Sequence, residues 1–509
     1  MLTALIAIPA LGAVLVSLLP KGADELAKRT AFVVSLVVAA LTLVMALQFD
    51  KGGPRFQFTQ SYWWIEQFGV HWAVGVDGVA LVLIGLSVIL VPVVVLASWT
   101  DADRSGAAEG PPPKRSVKTY FALLLILEAM IIGVFAATDL FLFYVFFEAM
   151  LVPVYFIIGS YGGPQRSYAA VKFLLYSLFG GLLMLAAVIA LYVVSHTNSF
   201  LMSDLVKANL DVTTARWLFL GFFIAFAIKA PLVPFHTWLP DAAGQSPAGA
   251  MVLIVGVLDK VGTYGMLRFC LELFPEASKW FAPVVLTLAV IGIIYGAILA
   301  IGQVDLKRLI AYTSISHFGF IALGIFAMTS QGQSGATLYM VNHGFSTGAL
   351  FLIAGFMISR RGSARIDAYG GVQKVAPLLA GTFLIAGLSG LGLPGLSSFV
   401  SEFLVLVGTF TRYKVPAVIG TVGIILAAVY ILWMYQRTMN GPTKEQVSGM
   451  RDLSGRELVA IAPVVAIIVA LGFFPKPVLD VINPSVQQTL SRVQMQDPQP
   501  TVAEKGQRP

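Results

Sequence analysis

Residues 226–234 read FAIKAPLVP and place one lysine and two prolines within an otherwise apolar run. A proline inside a helix removes one hydrogen-bond donor and frees the carbonyl four residues earlier, which here leaves Ala227 and Ala230 without their helical donors. Unpaired backbone at membrane depth is tolerated only where it is buried in protein or lines a wet cavity. We therefore predict a broken transmembrane helix with Lys229 at the break, and the alternative is a harmless kink.

A second apolar run is broken in a comparable way at residues 390–395, which read GLGLPG, and Pro394 frees the carbonyl of Gly390. If two repeats begin near residues 116 and 279, Pro231 and Pro394 lie equally far into their repeats. Each repeat would hold five helices, and an odd number places the second copy in the opposite orientation, as in many transporters.

The composition indicates an integral membrane protein, since 58% of the residues are hydrophobic and only 12% are charged. The mean hydropathy is +0.84, and apolar runs of about 20 residues recur along the chain. We expect an all-α membrane fold with about 14 transmembrane helices. The expected helices cover residues 2–20, 30–49, 76–98, 116–137, 140–160, 167–195, 214–240, 247–273, 279–303, 305–329, 334–360, 376–411, 415–440 and 456–475.

The expected organisation has four parts. Residues 1–115 form an N-terminal three-helix segment, 116–278 the first five-helix repeat, 279–440 the second, inverted repeat, and 441–509 the final transmembrane helix and a tail. The first apolar run lacks a basic leader and a small-residue cleavage motif, which favours a retained helix over a signal peptide. The single cysteine, Cys270, is expected to be a small buried apolar residue.

The basic residues predict the orientation in the membrane. Loops on one side carry most of the lysine and arginine, among them Lys21, Arg104, Lys307 and Arg360. Such loops usually face the cytoplasm, so we expect both termini on the non-cytoplasmic side. The sequence pI of about 9.3 then reflects these loops, and nucleic-acid binding explains it poorly.

Six ionisable residues lie inside apolar spans. A charge at the centre of a membrane helix costs about 2.5 to 3.5 kcal/mol even on lenient scales, and such residues usually mark ion or proton routes. We therefore predict a proton route that uses Glu148, Lys229, Lys260, His317, His343 and Glu402.

The first three of these residues raise the question of charge partners. Glu148 has no charged neighbour on its own helix, so Lys229 is the expected partner, and the alternative is an immobile structural ion pair. Lys260 is expected in a proton relay. Its neighbour Asp259 points about 100° away around the helix and can therefore serve a second partner.

The other three residues follow along the chain. Histidine titrates in the physiological range, and two histidines on successive spans favour a hydrated relay over two satisfied core residues. A metal site is disfavoured, because no thiolate pair or paired carboxylate completes a ligand set. Glu402 lies about 12 Å beyond the second break and could end the route, and the alternative is a carboxylate held locally by Ser398.

Several other residues carry weaker signals. Asp305 is expected to cap a helix, and three tryptophans are expected at the membrane interface. The weak candidates for the route are Glu128, Lys172 and Asp139, and the tryptophans are Trp63, Trp64 and Trp238.

Four long motifs resemble the antiporter-like membrane subunits of respiratory complex I. They are residues 226–242, 305–317, 342–344 and 392–403, and the resemblance extends over nearly the whole chain. Within this family, the carboxylate of Glu402 favours the subunit M branch, whose mitochondrial counterpart is chain 4. The sister L and N chains typically carry a lysine at that position.

The resemblance implies a bacterial plasma-membrane subunit that translocates protons for an NADH-quinone oxidoreductase. It assigns Glu148 and Lys229 as a modulating pair, Lys260 with His317 and His343 as the central relay, and Glu402 as the exit-side group.

The resemblance also implies the surroundings of the chain. NADH, FMN, iron–sulfur clusters and quinone would belong to other subunits, and this chain would carry no redox centre. L-like and N-like chains and the lipid bilayer would be its partners. Asp259 has no place in the family pattern. The alternatives are a subunit of a multisubunit sodium/proton antiporter and a membrane scaffold for a hydrogenase.

Overall fold

The computed structural model describes residues 1–103 and 110–499, so Arg104 and the end of the C-terminal tail lie outside it. The described part is a helical bundle with one β-hairpin. Its long elements are α1 (Leu2–Leu18), α2 (Asp24–Gln48), β1 (Gln57–Ile65), β2 (Val70–Val76), α3 (Gly78–Ala97), α4 (Val117–Ala136), α5 (Leu140–Ala149), α6 (Leu151–Tyr161), α7 (Arg166–Ser195), the short α8 (Met202–Leu205), α9 (Val212–Lys229) and α10 (Trp238–Gln245).

The long elements of the second half of the chain are all helices in the described residues. Its elements are α11 (Ala248–Leu253), α12 (Lys260–Gly265), α13 (Leu271–Leu273), α14 (Pro275–Ile301), α15 (Leu306–Phe326), α16 (Ser330–Arg361), α17 (Pro377–Gly390), α18 (Ser397–Arg412), α19 (Lys414–Met439), α20 (Gly455–Phe473) and α21 (Lys476–Val493).

Twelve helices in the described ranges are long and apolar enough to cross a membrane, and the shorter α1 and α17 are also apolar. The all-α membrane fold is therefore confirmed, whereas the count of fourteen and the two inverted repeats remain predictions. Burial separates inner from outer helices. The most apolar stretch of Ala248–Leu273 is entirely buried and that of α16 is 94% buried, against 28% for α2 and α20. The outer helices therefore present apolar side chains to lipid.

The expected helices at 214–240 and 376–411 are each two helices separated by an irregular segment, α9 with α10 and α17 with α18. Both breaks are thus confirmed as breaks in helical structure. The carbonyl of Ala227 accepts a hydrogen bond from the Leu232 N–H at 2.9 Å, and the carbonyl of Ile228 accepts one from Trp238 Nε1 at 2.8 Å. Trp238 is fully buried, so its expected place at the membrane interface is wrong. The Trp238 indole N–H instead satisfies the Ile228 carbonyl, which the break leaves without a helical donor.

The span Ala248–Leu273 is not a regular helix. Two π-helical turns, Ile254–Leu258 and Met266–Cys270, flank α12. The extra residue in each turn rotates the side chains that follow it and often marks a functional position. Lys260 begins α12 directly after the first π turn. Cys270 is buried in the second, as expected.

The sequence analysis missed the hairpin of β1 and β2, which pair antiparallel. It lies between α2 and α3 and is fastened to the bundle by Asp139. One carboxylate oxygen of Asp139 caps α5 by accepting hydrogen bonds from Phe141 N and Leu142 N, and the other accepts one from His71 N at 3.0 Å. Asp139 is thus a structural residue.

Candidate functional site

Glu148 lies one residue before the end of α5, whose other residues are aromatic or aliphatic. Lys229 is the last residue of α9. A side chain at Gly181 of α7 would overlap the Glu148 carboxylate, so this glycine makes room for it. The two charged groups interact electrostatically. Lys229 Nζ has no hydrogen-bond partner in the described part of the chain and lies 4.6 Å from the centre of the Phe147 ring. The predicted partners are brought together, but not in a hydrogen-bonded ion pair.

Lys260 lies at the centre of the buried helices. Its Nζ lies 2.6 Å from Nδ1 of His343 on α16, and it also donates a hydrogen bond to the Val255 carbonyl. Both Lys260 and His343 are shielded from solvent. The π turn before α12 supplies the carbonyl acceptor, because its widened backbone leaves Val255 facing the lysine. Lys260 and His343 are therefore in direct contact.

His317 of α15 continues this contact. The rings of His317 and His343 are 5.3 Å apart, centre to centre, and nearly perpendicular. His317 Nε2 lies 3.4 Å from the hydroxyl of Tyr430 on α19. The same ring faces the carbonyl of Gly390, which Pro394 deprives of its helical donor. The second break and the two histidines are thus one site.

Glu402 of α18 accepts a hydrogen bond of 2.5 Å from the Tyr339 hydroxyl, and the rings of Tyr339 and His317 are 5.7 Å apart. Gly392 has a φ of +76°, and a side chain there would overlap the Glu402 carboxylate. Glu402 thus reaches back to the second break. Ser398, the partner suggested by the sequence, contacts Ser346 instead.

Tyr339 was missed by the sequence analysis. It precedes His343 by four residues on α16, and residues four apart share a helix face. That spacing could have identified it. Tyr430 lies on a different helix, and no local pattern connects it to the histidines. Both tyrosines are buried.

Serine and asparagine side chains surround the second break. Ser346 contacts Ser389 at 2.7 Å and Ser398 at 3.1 Å, and Asn342 donates to the Ser397 carbonyl at 2.6 Å. These groups satisfy backbone and hydroxyls at the start of α18, where the chain resumes its helix.

The weaker candidates have different surroundings. Lys172 forms an ion pair of 2.6 Å with Asp241 of α10, and Asp305 caps α15 as expected. Glu128 is fully buried, and neither of its oxygens meets a hydrogen-bond donor among residues 1–103 and 110–499. These three residues are separate from the contacts between Lys260 and Glu402.

The arrangement is a series of buried titratable or hydroxyl groups across the middle of the bundle. Lysine, histidine, tyrosine and carboxylate can each accept and release a proton. Such groups in a membrane interior usually line proton or ion routes. The geometry is therefore suited to passing protons from one of these groups to the next.

Comparison with known proteins agrees with this geometry. Residues 137–428 match the family model described as "NADH:quinone oxidoreductase/Mrp antiporter, TM". The chain is 52% identical to "NADH-quinone oxidoreductase subunit M" of Mycobacterium tuberculosis, over 97% of this chain and 95% of that protein.

Two solved structures share the fold. A chain of respiratory complex I from Thermus thermophilus with bound NADH superposes with a TM-score of 0.88 at 33% identity, covering 97% of this chain and all of that one. A chain of the Mrp complex from Dietzia sp. DQ12-45-1b superposes with a TM-score of 0.85 over 97% of this chain and 99% of that one, but at 19% identity it shows the fold alone. This chain belongs to the NADH-quinone oxidoreductase subunit M family of antiporter-like membrane subunits.

Proposed function

We propose that this chain carries protons across the bacterial plasma membrane as a membrane-arm subunit of an NADH-quinone oxidoreductase. The observation that supports the proposal best is the contact series from Lys260 through His343 and His317 to Tyr339 and Glu402. Each of these groups is buried. Burial of this many ionisable groups is expensive in a membrane protein and needs a functional reason.

The roles follow from position. Lys260 with His343 and His317 forms the central relay, and Glu402 is the exit-side group. Glu148 and Lys229 form the modulating pair: because Lys229 is not locked in a hydrogen-bonded ion pair, its charge can respond to movement of Glu148. Moving one charge against the membrane potential takes about 2.3 kcal/mol per 100 mV. A pKa change of two units corresponds to about 2.7 kcal/mol, so electrostatic coupling has the required size.

The partners follow from the family. L-like and N-like chains would flank this one in the membrane, and NADH, FMN, iron–sulfur clusters and quinone would be bound by other subunits. The sodium/proton antiporter and hydrogenase-scaffold alternatives are less favoured, since the similar protein from Mycobacterium tuberculosis is named as a subunit of an NADH-quinone oxidoreductase and the Mrp likeness concerns the fold.

The test is the Lys229→Ala substitution in the assembled enzyme. NADH-driven proton pumping into sealed vesicles should be abolished and quinone reduction lowered. The matched control is Lys207→Ala, because the Lys207 side chain is 75% exposed and forms a surface ion pair with Asp204. Full pumping by an assembled Lys229→Ala enzyme would favour the scaffold alternative, and turnover that requires sodium would favour the antiporter.

A further inference from the structure

Asp259 is a buried carboxylate that the contacts described so far do not explain. Its side chain has no solvent exposure, and neither oxygen meets a hydrogen-bond donor in the described ranges of the chain. It interacts electrostatically with two groups, Lys260 and Lys229. Lys229 in turn interacts with Glu148 and Asp259. Asp259 therefore stands between the modulating pair and the central relay.

The backbone explains why Asp259 faces Lys229. A side chain at Gly262 would lie 2.5 Å from the carbonyl oxygen of Phe226 and 2.6 Å from the amide nitrogen of Ala230. The backbones of α12 and the end of α9 therefore touch at Gly262. Asp259 precedes Gly262 by three residues, and residues three apart lie on the same helix face. The carboxylate is thereby directed toward the end of α9, where Lys229 lies.

Lys260 points elsewhere, although it is the next residue. Neighbouring residues in a helix differ by about 100°, and Lys260 Nζ reaches His343 on α16. The Asp259 N–H bonds to the carbonyl of Ile254, five residues back, at 3.1 Å. This is the π turn that sets both directions. Asp259 is therefore directed toward α9, and Lys260 is directed toward α16.

Burial without hydrogen bonds argues against a purely structural role. An ionised carboxylate taken out of water costs several kcal/mol unless it is paired and hydrogen-bonded. Asp139 and Asp305 show how structural aspartates in this chain are satisfied, since both accept backbone N–H groups as helix caps. Asp259 has two lysines in range and no such bonds.

We infer that Asp259 carries protons between Lys229 and Lys260, as a residue of the relay that joins the two halves of the route. The inference rests on the proposed function. In one direction, the Lys229 ammonium gives a proton to the Asp259 carboxylate, leaving a neutral amine and a carboxylic acid. The acid then protonates the neutral Lys260 amine and becomes a carboxylate again. One proton has moved, no other bond has changed, and transfer in the opposite direction reverses the same steps.

The test compares Asp259→Asn with Asp259→Glu in the assembled enzyme, with assembly checked by native electrophoresis. Asparagine keeps the size but cannot carry a proton, so NADH-driven pumping should fall about 100-fold or more, the usual contribution of a positioned proton-transfer group. Glutamate keeps the chemistry and should restore pumping. Asp211→Asn is the matched control, because it makes the same substitution at a carboxylate that caps α9 at the end opposite Lys229, where asparagine caps equally well, and it should pump normally.

A pH profile separates proton transfer from a purely electrostatic influence. The groups that face Asp259 are Lys260 on its own helix and Lys229 on α9, with Glu148 and His343 beyond them. If Asp259 carries protons, Asp259→Asn lowers pumping at every pH. If it only sets the charge of the lysines, the variant reaches the normal maximum at a shifted pH, and the inference is overturned.

Lys229→Ala distinguishes this inference from the proposed function. Loss of pumping in Lys229→Ala with full pumping in Asp259→Asn would overturn the role of Asp259 alone. Full pumping in both variants would overturn the proposed function itself.

Discussion

At the scale of single residues, the proposed route requires side chains that bridge otherwise separate groups. Tyr339 is such a residue, since its ring lies beside His317 and its hydroxyl donates to Glu402. Tyr339→Phe would keep the ring and remove only the hydroxyl. We expect pumping to fall about tenfold or more, because a proton-transfer group is lost and Glu402 loses a donor.

The Tyr339→Phe variant is measured by NADH-driven pumping in vesicles at equal enzyme content. Tyr435→Phe is the matched control, because within the described ranges the Tyr435 hydroxyl donates only a long hydrogen bond, of 3.3 Å, to the Ala380 carbonyl. Equal pumping by the two variants would show that protons bypass the Tyr339 hydroxyl.

Asp101 permits a prediction about pH. It follows the span of α3 and lines a cavity of about 100 Å³ together with Lys307 and Arg456. Burial raises the pKa of its carboxyl to about 6. A carboxyl with a raised pKa binds its proton more tightly in the folded state, so its stabilising contribution is complete at low pH and is lost as the pH rises through 6.

Asp101→Asn should therefore match the thermal midpoint of the natural protein at acidic pH and exceed it by about 1–3 °C at pH 8. Thermal unfolding of the purified enzyme at pH 5, 6, 7 and 8 measures this. Asp480→Asn is the control: Lys476 lowers the pKa of that exposed carboxyl, so its difference from the natural protein should not grow over this range. A constant difference for Asp101→Asn would contradict the prediction.

At the scale of elements, one buried charge cluster joins the hairpin side of the bundle to its C-terminal helix. Arg268, in the second π turn, contacts Asp77 at 2.6 Å and Glu272 at 3.5 Å. Glu272 also accepts a hydrogen bond of 3.0 Å from Thr489 of α21. All four residues are buried. The partly exposed Arg55 also contacts Asp77 and Glu272, so Arg268 is the buried cation of a cluster that joins α3, the π turn and α21.

Removal of the Arg268 guanidinium should destabilise the protein strongly. Arg268→Met leaves Asp77 and Glu272 with only the partly exposed Arg55 as a cationic partner among the described residues, and loss of one partner from a buried ion pair costs up to about 3–5 kcal/mol. Arg365→Met is the control, because the pair of Arg365 and Asp367 is more than half exposed and such pairs contribute about 0–1 kcal/mol. The amount of folded protein after extraction and its thermal midpoint measure both. Similar midpoints for the two variants would refute the structural role of Arg268.

The elements also show how far the sequence can be interpreted. Both breaks were predictable, because a proline removes a backbone hydrogen-bond donor whatever its surroundings. The hairpin was missed because Gln57–Ile65 does not alternate between polar and apolar or between exposed and buried residues, so the period of two that indicates a strand is absent. The partner of Trp238 could not be predicted, since it is a carbonyl ten residues away that becomes available only when the helix breaks. The relay itself stays a prediction from burial cost, and the contact order of Lys260, His343 and His317 could not be predicted because it depends on how three helices pack.

At the scale of the whole molecule, hydrogen bonds between loops identify two faces. On one face, residues 362–376 bond with residues 440–444: Gly371 N donates to the Asn440 carbonyl at 2.8 Å. On the other face, the hairpin bonds with the loop after α7, since Phe200 N donates to the Gly69 carbonyl at 3.4 Å. The first face holds the predicted cytoplasmic arginines, including Arg360, so the orientation of the entire route depends on which face is inside.

Cysteine labelling can determine that orientation. Cys270 is the single cysteine of the chain and is fully buried, so a Cys270→Ser background should fold and react with no thiol reagent. Ser448→Cys places a thiol on an exposed site of the first face, and Lys207→Cys places one on the opposite face. In sealed inside-out vesicles, a membrane-impermeant maleimide should label Ser448→Cys at once and Lys207→Cys only after detergent is added. The opposite pattern would place the arginine-rich loops outside the cell and reverse the predicted direction of the route, because basic loops are expected on the cytoplasmic side.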